Sequence, residues 1–201
     1  MTKHRQRGVQ ERRRWVSIGV KEGRIMKMAQ LRQLEAQALT GDGKACLALY
    51  TEYCNNTPDK LTARKWLDLA LDCDEPRAIF IEGVASLASG KVSDALPMLK
   101  LAAENDNTDA MNVLGQYYLG NIKGMPHDVI DLEQGLDYLI GAARGGNRDA
   151  QIVLGKGSLQ GTWFRKDVRI ARYWFEQARK QGSRQADRLL EELDRVHETI
   201  I

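Results

Sequence analysis

Small and apolar residues recur along the chain in one register, which repeats after 33, 32, 40 and 36 residues. The register is anchored on five alanines: Ala45, Ala78, Ala110, Ala150 and Ala186. Eleven residues before each anchor stands a large apolar residue: Leu34, Leu67, Leu99, Leu139 and Phe175. Fifteen residues before the last four anchors stands a small one: Ala63, Ala95, Gly135 and Ala171. These spacings predict one buried helix face per repeat, and the period is typical of arrays of paired helices.

Turn-forming and small residues keep the same register. Four residues before each anchor the chain has a residue suited to a helix end: Gly41, Asp74, Asp106, Gly146 and Gly182. Five residues after three anchors it has glycine: Gly83, Gly115 and Gly155. Glycine inside a helix is costly, so its recurrence predicts that the paired helices pack closely. We therefore expect an all-α solenoid of about four helix-turn-helix repeats, with capping helices before Leu39 and after Ala186.

The segments from Ala110 to Gly120 and from Asp128 to Ala150 resemble a Sel1-like repeat, a relative of the tetratricopeptide repeat. The segment from Ala150 to Ala186 is similar, whereas the repeats that begin at Ala45 and Ala78 depart more from the pattern. The resemblance implies a right-handed α-solenoid and a role as a protein-binding adaptor. It supplies no catalytic residues.

In such an array, the first helices of successive repeats line a groove. Polar and aromatic residues on those helices are candidates for partner binding: Tyr50, Glu52, Gln116, Tyr117 and Lys156. A second candidate group, Trp163, Phe164 and Arg165, lies in the turn of the last full repeat. Its aromatic rings either anchor a partner or cover the apolar seam of the repeat, and both interpretations remain open here. The loop from Asn121 to Asp128 is likewise a partner contact or a spacer.

Three polar residues are predicted to cap helices. We expect Thr57, Ser93 and Asp167 to be N-caps, because each precedes an apolar-periodic segment and has a side-chain oxygen able to accept a backbone N–H bond.

The first 28 residues are strongly basic, with a net charge of +7, while the remainder of the chain carries −4. This predicts a basic N-terminal arm, residues 1–28, before a solenoid of residues 29–201. Arg12, Arg13, Arg14 and Trp15 are its candidate contacts. The arm is a solvated tail, a partner-binding amphipathic helix, or a contact for nucleic acid or an anionic membrane. In the last case, the solenoid serves to recruit another protein.

Enzyme and metal chemistry finds little support in the sequence. His4, His127 and His197 have no carboxylate or cysteine companions at ligand spacing, and no common catalytic motif occurs. We expect no catalytic residue, metal or cofactor. No apolar stretch approaches the roughly 20 residues needed for a membrane span. Because the cysteines are odd in number, we expect three free thiols and a cytoplasmic protein.

Removal of residues 1–23 should leave the helical array folded, because the apolar register begins after the basic arm. The truncated chain is expected to keep the helical circular dichroism signal and the Tm of the full chain. If the arm binds nucleic acid or lipid, truncation should remove only the binding that salt already weakens. Unfolding of the truncated chain would show instead that the arm packs against the repeats.

Overall fold

The computed structural model describes residues 28–57, 59–122 and 130–198. The candidate arm contacts, Arg12, Arg13, Arg14 and Trp15, lie outside these residues, as does most of the loop from Asn121 to Asp128.

Ten α-helices and no strand occur in the described part of the chain. In chain order they are α1 Met28–Leu39, α2 Gly43–Asn56, α3 Lys60–Asp72, α4 Pro76–Ala88, α5 Val92–Glu104, α6 Thr108–Tyr118, α7 Leu132–Arg144, α8 Arg148–Gln160, α9 Val168–Lys180 and α10 Arg184–Glu198. The helices α2 to α9 form four consecutive pairs, with one flanking helix at each end. The predicted number of repeats and the two flanking helices are therefore confirmed.

The chain divides into two compact units, the first ending at Ala78 and the second beginning at Ile79. In the first unit, α2 packs against both α1 and α3. In the second unit, α6 pairs with α7 and α8 with α9, and consecutive pairs also touch, α7 against α8 and α9 against α10. This alternation of contacts within and between pairs is the packing expected of stacked repeats.

The positions of the repeat register coincide with the buried residues of the core. All five anchor alanines are buried, and so are the large apolar residues eleven positions earlier, except the partly buried Leu34. At Gly115 the helices α6 and α7 approach so closely that an added Cβ would lie 2.9 Å from the backbone nitrogen of Leu139 and 3.0 Å from the carbonyl oxygen of Gly135. An added Cβ at Gly135 would in turn lie 2.8 Å from Cγ of Leu119. The glycine register therefore marks close helix packing, as predicted.

The five residues four positions before the anchors share one backbone conformation. Gly41, Asp74, Asp106, Gly146 and Gly182 all have positive φ, between 51° and 92°. In each case the chain leaves one helix and enters the next through this left-handed residue, which glycine adopts without cost and aspartate tolerates better than most residues. The sequence prediction of a tight helix end at these positions is confirmed.

The helix caps were predicted with less success. Asp167 is the N-cap of α9, as expected, and accepts hydrogen bonds from the backbone nitrogens of Arg169 and Ile170 at 2.8 and 3.2 Å. Thr57 instead ends α2, and Asp59 caps α3. Ser93 lies inside α5, which begins after Lys91 without a side-chain cap. The Thr57 prediction was wrong because Asp59 stands directly before α3, and the Ser93 prediction was wrong because α5 already begins at Val92. Sequence patterns do not locate a helix start to the residue.

Replacement of Gly115 by Ala should destabilise the fold, because the new methyl group would press on the backbone of α7. Such overpacking costs about 1 to 3 kcal/mol, which exceeds the gain of about 0.5 to 1 kcal/mol from alanine's helix propensity. Gly141→Ala is the matched control, since its Cβ would meet only Sδ of Met111 at an ordinary 3.6 Å. Thermal unfolding should show a lower Tm for Gly115→Ala and an equal or higher one for Gly141→Ala. Equal effects of the two changes would contradict the close approach at Gly115.

Candidate protein-binding surface

The turn between α8 and α9 is held in place at both ends. The helix α8 ends at Gly161, which has a φ of 73° in the left-handed region. The backbone nitrogen of Thr162 donates to the carbonyl oxygen of Gly157 at 3.0 Å, and that of Asp167 donates to the carbonyl oxygen of Ser158 at 2.9 Å. Because both bonds return to α8, the turn between them projects from a fixed base.

Trp163 belongs to the core of the second unit. Its ring lies against Gly157, where an added Cβ would collide with the ring atoms. The side chain is partly buried and packs on a cluster that includes Leu139 and Leu154. Of the two interpretations left open by the sequence, covering the apolar seam therefore describes Trp163.

The neighbouring side chains face solvent. Phe164 is 42% exposed, and Arg165 and Lys166 are exposed as well. At the start of α9, Val168 and Ile170 are also large apolar residues with exposed side chains. We refer to Phe164, Arg165, Lys166, Val168 and Ile170 as the α8–α9 surface. It combines apolar side chains with two cationic groups within a short, anchored segment.

Asp167 stabilises the end of this segment. The hydrogen bonds that it accepts from the backbone nitrogens of Ile170 and Arg169 lower the pKa of its carboxyl group below the ordinary value. Because the folded-state pKa is lowered, the stabilisation by this cap is present above the unfolded-state pKa and is lost as the pH falls through the folded-state value. The turn is thus capped under all but acidic conditions.

On the first helices of the second unit, the candidate groove residues differ in accessibility. Gln116 is half-buried, and its Nε2 donates to Oδ1 of Asn112 at 3.1 Å. Tyr117 is buried and meets Tyr118 edge to face, with ring centroids 5.3 Å apart. Lys156 is half-buried on α8, at the position equivalent to Gln116 on α6.

The remaining candidates, Tyr50 and Glu52, are half-buried on α2, in the first unit. Two tyrosines at the same repeat position, Tyr53 and Tyr118, are also covered to different degrees. Tyr118 is buried and stacks on Tyr138 with ring centroids 6.1 Å apart, while Tyr53 is half-buried. Tyr118 thus packs within the core of the second unit.

Lys166, Val168 and Ile170 were not predicted from the sequence. The helical pattern could have indicated the exposure of Ile170. Ala171, Phe175 and Ala178 define the buried face of α9, and Ile170 lies outside that face. Tyr173, also 53% exposed, could have been found in the same way. This part of α9 differs from an ordinary solvated helix face because it exposes apolar residues next to lysine and arginine.

Within residues 28–57, 59–122 and 130–198, no group of three or more His, Cys, Asp or Glu side chains could hold a metal ion. None of the helices described there is both long and apolar enough to cross a membrane. His4 and His127 lie outside the described residues.

Comparison with solved structures shows the same fold in three bacterial proteins. A protective antigen present in uropathogenic Escherichia coli strains, which displays an SLR fold, gives a TM-score of 0.62 at 25% identity. A Sel1 repeat protein from Oxalobacter formigenes gives 0.67 at 23%, and an immunity protein from Pseudomonas aeruginosa gives 0.60 at 20%. Neither the protein-family models nor the curated proteins include a match to this chain.

The aligned regions cover most of this chain but less of the others. They span 78% of this chain and 34% of the Escherichia coli protein, and 78% of this chain and 65% of the Oxalobacter formigenes protein. For the Pseudomonas aeruginosa protein the shares are 87% and 65%. This chain therefore spans less than two thirds of each of those chains.

The fold and the repeat register define the class of protein as an all-α solenoid of stacked helix pairs. Within that class, the chain has the Sel1-like repeat fold. Repeat proteins of this fold generally serve in protein–protein interaction.

Proposed function

We propose that the chain is a non-catalytic adaptor that binds a segment of a partner protein, and that the α8–α9 surface makes a principal contact. The observation that carries the proposal is the exposure of Phe164 beside Arg165 and Lys166 on an anchored turn. An aromatic ring next to an arginine is the kind of group that contributes most to protein interfaces.

The anchored turn also favours binding on entropic grounds. Ordering a loop during association costs free energy, and side chains held in place beforehand avoid part of that cost. Here the two hydrogen bonds to α8 and the ring of Trp163 against Gly157 fix the turn before a partner arrives. Phe164 can then enter an apolar pocket of the partner, while the adjacent cations pair with carboxylates around it.

The groove residues are a less direct part of the proposal. Lys156, Tyr50 and Glu52 are half-buried and retain some accessible surface, so they remain candidates for further contacts within their own units. Gln116 must exchange its bond to Asn112 for any new one, and Tyr117 has little surface to offer. These facts support a larger contribution from the turn than from the groove.

The compartment and the basic arm complete the proposal. We place the adaptor in the cytoplasm, a location that the odd number of cysteines supports. The net charge of +7 on residues 1–28 supports a second candidate function, in which the arm contacts nucleic acid or an anionic membrane while the solenoid recruits a protein.

A binding experiment can test the α8–α9 surface. The full chain is used as bait in an extract of its native cells, the retained protein is identified by mass spectrometry, and its Kd is then measured with purified components. Phe164→Ala and the double change Arg165→Glu, Lys166→Glu should each weaken binding about tenfold or more, the scale of a hot-spot contact. Because these side chains are exposed, neither change should lower the Tm appreciably.

Two matched controls separate this surface from general effects. Leu101→Ala removes a side chain that is 45% exposed on α5, and Arg179→Glu with Lys180→Glu reverses two exposed charges at the other end of α9. Both controls should bind as the unchanged chain does. Equal weakening by the control and test charge reversals would indicate unspecific electrostatic attraction, and no weakening by Phe164→Ala would reject the surface.

A further inference from the structure

Two cysteines distant in the sequence meet in the first unit. Cys46 lies in the first turn of α2, and Cys73 ends α3. The approach depends on Gly43, one helical turn before Cys46, because a Cβ at Gly43 would lie only 3.0 Å from Cβ of Cys73. With no side chain at Gly43, Cys73 packs against the first turn of α2, which also carries Cys46.

The two thiols have different surroundings. Cys46 is fully buried, with Sγ 3.8 Å from the carbonyl oxygen of Ala38. Burial, together with the neighbouring Cys73 and the negative charge of Asp42, raises the pKa of the Cys46 thiol. Cys73 is half-buried and so remains accessible to a small oxidant. The arrangement thus places an accessible thiol near a protected one.

We propose that Cys46 and Cys73 form a site of reversible oxidation, at which hydrogen peroxide converts the thiol pair into an intramolecular disulfide. The thiolate of Cys73 attacks one oxygen of the peroxide, the O–O bond breaks, and the other oxygen leaves as hydroxide and takes up a proton to become water. The sulfur of Cys46 then attacks Sγ of the resulting sulfenic acid. The S–S bond forms, the S–O bond breaks, and a second water leaves with the proton of Cys46.

The order of these steps follows from accessibility. Cys73 reacts first because a peroxide can reach it, whereas Cys46 is enclosed by the core. Cys46 then acts as the resolving thiol, because it lies on the helical turn against which Cys73 packs. The new bond ties the start of α2 to the end of α3 and so closes this helix pair covalently. A cross-link of this kind restricts the unfolded chain, so the oxidised protein should melt at a higher temperature.

Cys54 provides an internal control. It is exposed and lies two helical turns beyond Cys46 on α2, a separation of about 12 Å along the helix axis and too far for a disulfide. If oxidation followed exposure alone, Cys54 would be modified first and would link separate molecules. If it follows the proximity in the structure, Cys54 stays reduced while the other two thiols are lost together.

The test is oxidation of the full chain with hydrogen peroxide, followed by alkylation of the remaining thiols and mass spectrometry. We expect the loss of two hydrogen atoms, a linked pair of peptides containing Cys46 and Cys73, and reversal by dithiothreitol. The yield should not change on dilution of the protein, because the bond is intramolecular. Cys54→Ser should oxidise as the unchanged chain does, whereas Cys73→Ser should lose the linked peptides.

Cys46→Ala supplies a second variant in which Cys73 should stop at the sulfenic acid, which dimedone traps. The proposal does not depend on this variant folding, because Cys73→Ser, at a half-buried position, tests the same bond. A disulfide that includes Cys54, dimers whose yield falls on dilution, or three alkylated thiols after peroxide treatment would each overturn the proposal.

Discussion

The structure depends on how closely the two helices of a pair approach at the position five residues after the anchor alanine. At Gly115 the backbone of α7 occupies the space that a side chain would need, and at Gly155 the ring of Phe175 does so. In the repeats that have glycine at this position, the contact allows the buried face of the second helix to lie directly on the first. The anchor alanines of these three repeats are buried, and so are the large apolar residues of their second helices: Ala78, Ala110 and Ala150, with Leu99, Leu139 and Phe175.

The candidate binding surface is a consequence of the same packing. The helices α8 and α9 lie close together, and the ring of Trp163, in the turn between them, lies against Gly157. This placement leaves Phe164, Arg165 and Lys166 on the outside of a turn whose ends are bonded to α8. A rigid core and an exposed, anchored segment together suit the proposed role of binding another protein.

Much of the fold could be predicted because the same structural positions recur in every repeat. The five positions with positive φ and the buried anchors recur in one register, so each occurrence supports the others. Single local features were less dependable. Thr57 and Ser93 were poor guides to helix starts, because Asp59 caps α3 in place of Thr57 and α5 begins after Lys91 without a side-chain cap.

The binding surface and the thiol pair required the three-dimensional structure. The sequence places Trp163 beside Phe164, but only the contact with Gly157 shows that the first ring is covered and the second exposed. Cys46 and Cys73 lie on different helices, and their proximity depends on the closeness of α2 and α3 at Gly43. Spacing rules for cysteine compare neighbours on one element, so the pair was not found.

A double-mutant cycle between Gly155 and Phe175 tests the close approach most directly. Leucine is the natural replacement for Phe175, since Leu67, Leu99 and Leu139 hold the equivalent positions. If the ring fills the space beside Gly155, Gly155→Ala should cost about 1 to 3 kcal/mol in the unchanged chain and distinctly less beside Phe175→Leu. If denaturant unfolding shows that Gly155→Ala lowers the free energy of unfolding equally in both backgrounds, the close packing of Phe175 against Gly155 would be contradicted.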